Sequence, residues 1–203
     1  MPVVNIPEPF SLVGVRAPDG HKLTDEEYWD FCMANQDLHI ERTAKGEIVI
    51  APPAGGELDY RNAYVITELM IWARQDGRGK AFGPTVQYFL SDGSGFSPDA
   101  SWVSNENLAA LTKAERKKFL RLTPEFVIEV LSPTDRLKTL KAKLETYIAN
   151  GVALGWLIDG DAETVHIHEV GKPVKTRRHP KELRGSGPVD GFVLDLVPIW
   201  RGL

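Results

Sequence analysis

A mixed α/β fold, one central sheet with helices on its faces, is what this sequence predicts, and three observations carry that expectation. The stretch PEFVIEVLSP, residues 124–133, holds a short apolar run bounded by prolines and reads as a strand buried on both faces. A helical stripe follows, formed by Leu137, Leu140, Leu144, Tyr147 and Ile148. After it comes a second apolar run over residues 152–158. The order helix, strands, buried strand, helix, strand argues for a mixed sheet.

Each element has a local reason. Residues 1–23 are punctuated by proline and glycine and read as an N-terminal arm, with 24–203 as one domain. Thr24-Asp25-Glu26-Glu27 is a capped helix start leading into Tyr28, Trp29, Phe31 and Cys32. LHIER (38–42) and EIVI (47–50) read as strands joined by a turn at Lys45-Gly46. From Asp59 to Gln75, Val65, Leu69 and Trp72 form one helical row with Ile66, Met70 and Ala73 beside it; Gly77 and Gly79 end it. Residues 86–90 and 100–103 read as strands around SDGSGFSPD, in which DGSG is a hairpin turn. Residues 105–120 read as a polar helix, and Thr134 and Asp135 as the cap of the helix that Asn150-Gly151 closes. In the strand over 164–170, His166 and His168 point the same way, expected to be toward solvent. Residues 192–196 form a last short strand, and Trp200 plugs a core edge.

At 203 residues and 42% hydrophobic, the chain can bury a substantial core, and 26% charged residues is not a disordered composition. The formal charge of -4 carries no global nucleic-acid signature. Its distribution is uneven. The first part is acidic, whereas residues 113–121, 136–143 and 172–184 are rich in Lys and Arg and would suit a local polyanion-binding surface. Cys32 is the single cysteine, so no intrachain disulfide forms, and beside Phe31 and Met33 it reads as a small buried hydrophobe. The N-terminal residues lack the basic and apolar regions of a signal peptide, and no apolar run reaches membrane-span length. The expected location is cytoplasmic, with no membrane partner. There is no Gly-Lys-Ser/Thr phosphate loop, hence no expected nucleotide cofactor.

Glu129 is the anomaly in the buried run. An ionised carboxylate in an apolar interior costs several kcal/mol unless something compensates it. Asp99 follows Pro98 at the start of another predicted strand that could be its neighbour. Two adjacent carboxylates repel unless a cation or a shared proton lies between them, and a hard metal such as magnesium suits a pair of carboxylates, a backbone carbonyl and retained waters. The competing readings are a salt bridge from Glu129 to Arg136, Lys141 or Lys143, and a turn-capping role for Asp99. Lys141 and Lys143 border the helical stripe on opposite sides, and periodicity does not choose between them.

SPDASWV around Asp99, PEFVIEVLSP around Glu129 and AKLETYIANGV around Lys143 together resemble the PD-(D/E)XK nucleases. More narrowly they resemble the Uma-type restriction endonucleases, formerly catalogued as a domain of unknown function. GGELDYRN (55–62) and GFVLDLVPIW (191–200) extend the resemblance over most of the chain after Thr24. It implies a restriction-endonuclease-like core, with an additional helix and strands before it and strands after it. It also implies a metal site at Asp99 and Glu129 with the Val130 carbonyl, holding Mg2+ or Mn2+. Where the superfamily has lysine two residues after the glutamate, this chain has Leu131; the resemblance implies that Lys143 takes over. Glu57 resembles an additional acidic ligand; alternatively it is an exposed acid at a helix N-terminus.

The expected activity is metal-dependent hydrolysis of DNA phosphodiesters, with Asp99, Glu129, Lys143 and Glu57 as candidate catalytic residues. Lys117, Lys118, Arg136, Lys138 and Lys141 are candidate phosphate contacts. A homodimer is expected, because paired cuts need paired sites. The alternative is an inactive nuclease-like module that binds DNA or assembles. A glycosidase using the two acids needs an aromatic sugar platform, and the five tryptophans fall in patterns that read as core.

Overall fold

The computed structural model describes residues 22–203, so the expected arm, apart from its last two positions, lies outside the described residues. Along the chain run α1 (Asp25–Ala34), β1 (His39–Arg42), β2 (Ile48–Ala51), α2 (Gly56–Asp76), β3 (Gly79–Phe82), β4 (Tyr88–Phe89), β5 (Gly95–Phe96) and β6 (Ala100–Ser104). Then come α3 (Asn105–Ala109), β7 (Phe126–Val130), α4 (Leu137–Ala149), β8 (Leu154–Asp159), β9 (Thr164–Glu169), β10 (Lys175–Arg178), β11 (Glu182–Arg184), β12 (Val193–Asp195) and α5 (Val197–Arg201). They divide between two compact units, residues 22–53 with 89–96, and residues 54–88 with 97–203.

In the first unit, α1 starts where its residues say it should. Thr24 Oγ1 accepts the Glu27 N–H at 3.2 Å, and the Glu27 carboxylate accepts the Thr24 N–H at 2.8 Å, a reciprocal cap that satisfies two free donors. β1 and β2 pair antiparallel, and β5 and β4 extend the sheet in the order β2-β1-β5-β4. The buried Tyr28 donates its hydroxyl to the Ile40 carbonyl at 3.1 Å.

The second unit is built on a six-stranded mixed sheet in the order β10-β9-β8-β7-β6-β3. Only β7 and β8 are parallel, because α4 carries the chain back between them; the other pairs are antiparallel. One face is apolar. Phe126, Ile128, Trp102, Trp156 and Val165 pack there against Val65, Leu69 and Ala73 of α2. Phe126 meets Trp156 edge-on at 4.9 Å between ring centroids, and Phe192 stacks on Trp156 at 5.7 Å.

The other face receives α4. A Cβ at Gly155 would lie 2.5 Å from Leu144 Cδ1, so glycine here is what lets the helix approach the sheet. Leu140, Leu144 and Tyr147 are the buried stripe of that helix, as their spacing predicts. Its end follows the prediction too, with Gly151 in the left-handed region at φ 100°.

Four readings change. Residues 105–120 form only a short helix and a 3-10 turn over Glu115–Lys117, because Thr112 and Glu115 make a fresh cap and Arg116 Nε and Nη2 draw the Leu111 and Leu108 carbonyls out of a continuing ladder. Asp135 accepts the Ser132 N–H at 3.1 Å and so closes its own turn, leaving α4 without a side-chain cap. His166 and His168 are buried, not solvent-facing, at 6% and 3% exposed. Their ring faces are on the side covered by α4; His166 Nδ1 meets Thr176 Oγ1 at 2.9 Å. The short strands β3, β5, β10 and β11 arise from sheet pairing that local pattern does not reveal.

Candidate active site

β6 and β7 bring the two acids to one end of the sheet. Ala100 pairs with Ile128, so Asp99, one step earlier, comes level with Glu129. Asp99 Oδ2 accepts the Val130 N–H at 2.7 Å, and Asp99 Oδ1 accepts Asn62 Nδ2 at 2.9 Å. These bonds fix the plane of the carboxylate without cancelling its charge.

Glu129 alternates with Ile128 and Val130, which enter the aromatic core, so its side chain emerges on the α4 side. There Lys143 Nζ lies 2.8 Å from Glu129 Oε1. The glutamate side chain is 5% exposed and the lysine 15%. Lys143 Nζ also lies 5.9 Å from the centroid of the Tyr147 ring, one helical turn on. Of the three bases that could compensate Glu129, the structure selects Lys143, and the pair answers how a carboxylate is tolerated inside the strand. Deleting one partner of such a buried pair strands the other charge at a cost of about 3–5 kcal/mol.

The remaining expected residues are placed differently. Glu57 Oε1 pairs with Arg61 at 3.0 Å and Oε2 accepts the Leu203 N–H at 3.1 Å, so Glu57 ties the start of α2 to the end of the described chain. Arg136 and Lys138 are exposed at the start of α4, and Lys141 is half-buried beside the histidines. Lys117 and Lys118 lie on the segment joining the end of β6 to the start of β7, the opposite end of the sheet from Glu129.

Asn62 is the residue that motif reasoning missed. It lies within α2, where asparagine is a poor helix former, and that local misfit was the available signal. Its Oδ1 is buried without a hydrogen-bond partner, although its Nδ2 is spent on Asp99.

The donor chemistry fits a hard divalent cation. Asp99, Glu129 and the Val130 carbonyl offer oxygen only, and the orphaned Asn62 Oδ1 adds an amide oxygen beside them. Among the described residues no group of three or more His, Cys, Asp or Glu side chains is arranged as a metal cage. Two carboxylates with several waters are what magnesium accepts, whereas structural zinc wants four protein ligands.

Comparison with solved structures places the fold. A putative nuclease from Anabaena variabilis ATCC 29413 matches with a TM-score of 0.69 at 18% sequence identity, over 81% of this chain and 91% of that one. No curated protein matches this chain. A family model described as "Putative restriction endonuclease" matches residues 25–197. That span includes Asn62, Asp99, Glu129 and Lys143 and nearly all of both units, and the chain belongs to this family, Uma2.

Proposed function

We propose that the protein is a metal-dependent endonuclease that hydrolyses DNA phosphodiester bonds at Asp99, Glu129 and Lys143. One observation carries the reading: Asp99 bonds to the backbone of Val130, which brings a second acid beside Glu129 at the sheet end where Lys143 also arrives. A salt bridge alone explains Glu129 but gives no reason for Asp99 to be held there.

Asp99, Glu129 and the Val130 carbonyl would hold magnesium or manganese, which when bound neutralises charge on a phosphate and makes a coordinated water more acidic. Asn62 orients the Asp99 carboxylate through its amide N–H. The Lys143 ammonium is held by Glu129 and the Tyr147 ring, so it is already oriented to stabilise negative charge growing on the phosphate or to orient the attacking water. Arg136, Lys138 and Lys141 contact backbone phosphates along α4 without reading sequence. A homodimer supplies the second site for a paired cut, and sedimentation of the purified protein checks it.

The test compares wild type, Asp99→Ala and Glu129→Ala on supercoiled, linear and single-stranded DNA with magnesium or manganese. Wild type should cut, each variant should lose about 10³-fold or more, and a chelator should abolish cleavage. Equal activity in all three proteins would place the chemistry elsewhere. The closed Glu129–Lys143 pair favours one second reading, an inactive DNA-binding module. Calorimetric titration separates the two: magnesium heat lost in Asp99→Ala belongs to the enzyme, and no heat in wild type to the module.

A further inference from the structure

The basic run over residues 172–184 is not used by the site, yet sheet register relates part of it to that site. Glu129 pairs with Leu157, Leu157 with His166 and His166 with Thr176, so these four stand in one row across β7, β8, β9 and β10. Directly paired residues share a face, and this face is the one α4 covers. One row further toward the end of β7, Asp159 pairs with Thr164 and Thr164 with Arg178. Arg178 therefore shares both the face and the sheet end of Glu129, above which Lys143 arrives from α4. Lys175 and Arg177 alternate to the opposite face.

Arg178 is also available. All of β10 is exposed, and β10 is the last strand of its sheet. Three acids near it in sequence are occupied: Glu169 by Lys172, Glu163 by His179 and Glu182 by Arg184. Arg178 has no ion-pair partner among the described residues. On α4 itself, Lys138 and Lys141 line a groove of about 580 Å³ with Leu137, Ala142 and Glu145.

We propose that Arg178, with Lys138 and Lys141, forms a track for one nucleic-acid strand that leads from the Lys143 site across β8 and β9 to the β10 edge. The inference rests on the nucleic-acid reading above and adds a direction and an end point to it. Three strand spacings of about 4.8 Å put β10 roughly 14 Å from β7. At that reach Arg178 meets a phosphate a few nucleotides from the one being cut. The simpler account of a basic edge strand is protection against edge-to-edge pairing.

Fluorescence anisotropy with a labelled duplex DNA, measured over a range of salt in the presence of calcium, decides between them for wild type, Arg178→Gln and Arg178→Lys. The track requires weaker binding by Arg178→Gln and a salt slope shallower by about 0.9, with Arg178→Lys keeping the wild-type slope. An unchanged slope in Arg178→Gln, or self-association of that variant in sedimentation, overturns the track and leaves the proposed hydrolysis standing. Arg178-dependent binding by a wild type that never cuts supports the track and overturns hydrolysis. No DNA binding by wild type overturns both.

Discussion

The two faces of the six-stranded sheet were made for different purposes. Under α2 lie Trp102, Phe126, Ile128, Trp156 and Val165, a face without a charged side chain from β7 or β8. On the opposite face the same strands present Ser101, Glu129, His166 and His168, all buried. Burying polar groups adds nothing to stability that apolar ones would not add more cheaply. The contrast teaches that the α2 face supplies the fold's stability, while the α4 face gives some of it up to hold the polar groups on which the proposed chemistry depends.

The sharpest way to break this comparison is isosteric change on the polar face. Asp99→Asn and Glu129→Gln should each lower cleavage by about 10³-fold while leaving the overall fold intact by circular dichroism. Loss of folding in both would make the acids structural. On the apolar face, Phe126→Ala or Trp156→Ala should cost about 3–5 kcal/mol in denaturant unfolding, with activity falling only as folded protein is lost.

A smaller effect links the faces to their helices. Gly155→Ala puts a methyl against Leu144, and should cost about 1–3 kcal/mol. Because Lys143 rides on the helix that moves, its turnover should drop more than that of an equally destabilised α2-face variant, as measured in parallel assays.

The smallest expected effect is in pH. Burial, with Lys141 adding to it, holds both His166 and His168 below their ordinary value of 6.5. An unfolded chain therefore binds protons that the folded one does not, so stability should be full above about pH 6.5 and decline as pH falls below it. The charged groups facing these rings, Lys141, Glu145 and Asp159, set the size of the decline. Thermal unfolding of wild type and His168→Leu across this range checks it, the variant showing the shallower fall.

How much could be read beforehand follows from where information is local. β7 was legible because a run of apolar residues between prolines has few other uses, and α4 because its stripe repeats at the helical period. The Asp99, Glu129 and Lys143 motifs were legible as a pattern, though choosing Lys143 over Lys141 took a resemblance and then a distance of 2.8 Å. Residues 105–120 misled because a polar segment has no buried stripe to impose a helix, and local caps won instead. The two histidines misled because strand alternation says which residues share a face and is silent on what covers that face.

By itself, then, the sequence determined the order of elements, the buried strand with its misplaced acid, and the family pattern, since these depend on periodicity and short spacings. Only the tertiary structure decided that Lys143 compensates Glu129, that Asn62 holds Asp99, that Glu57 accepts the Leu203 N–H, and that Arg178 shares a face with Glu129. Those facts depend on contacts between residues 14 to 146 positions apart or on strand register, and no local pattern encodes which distant partner a side chain will meet.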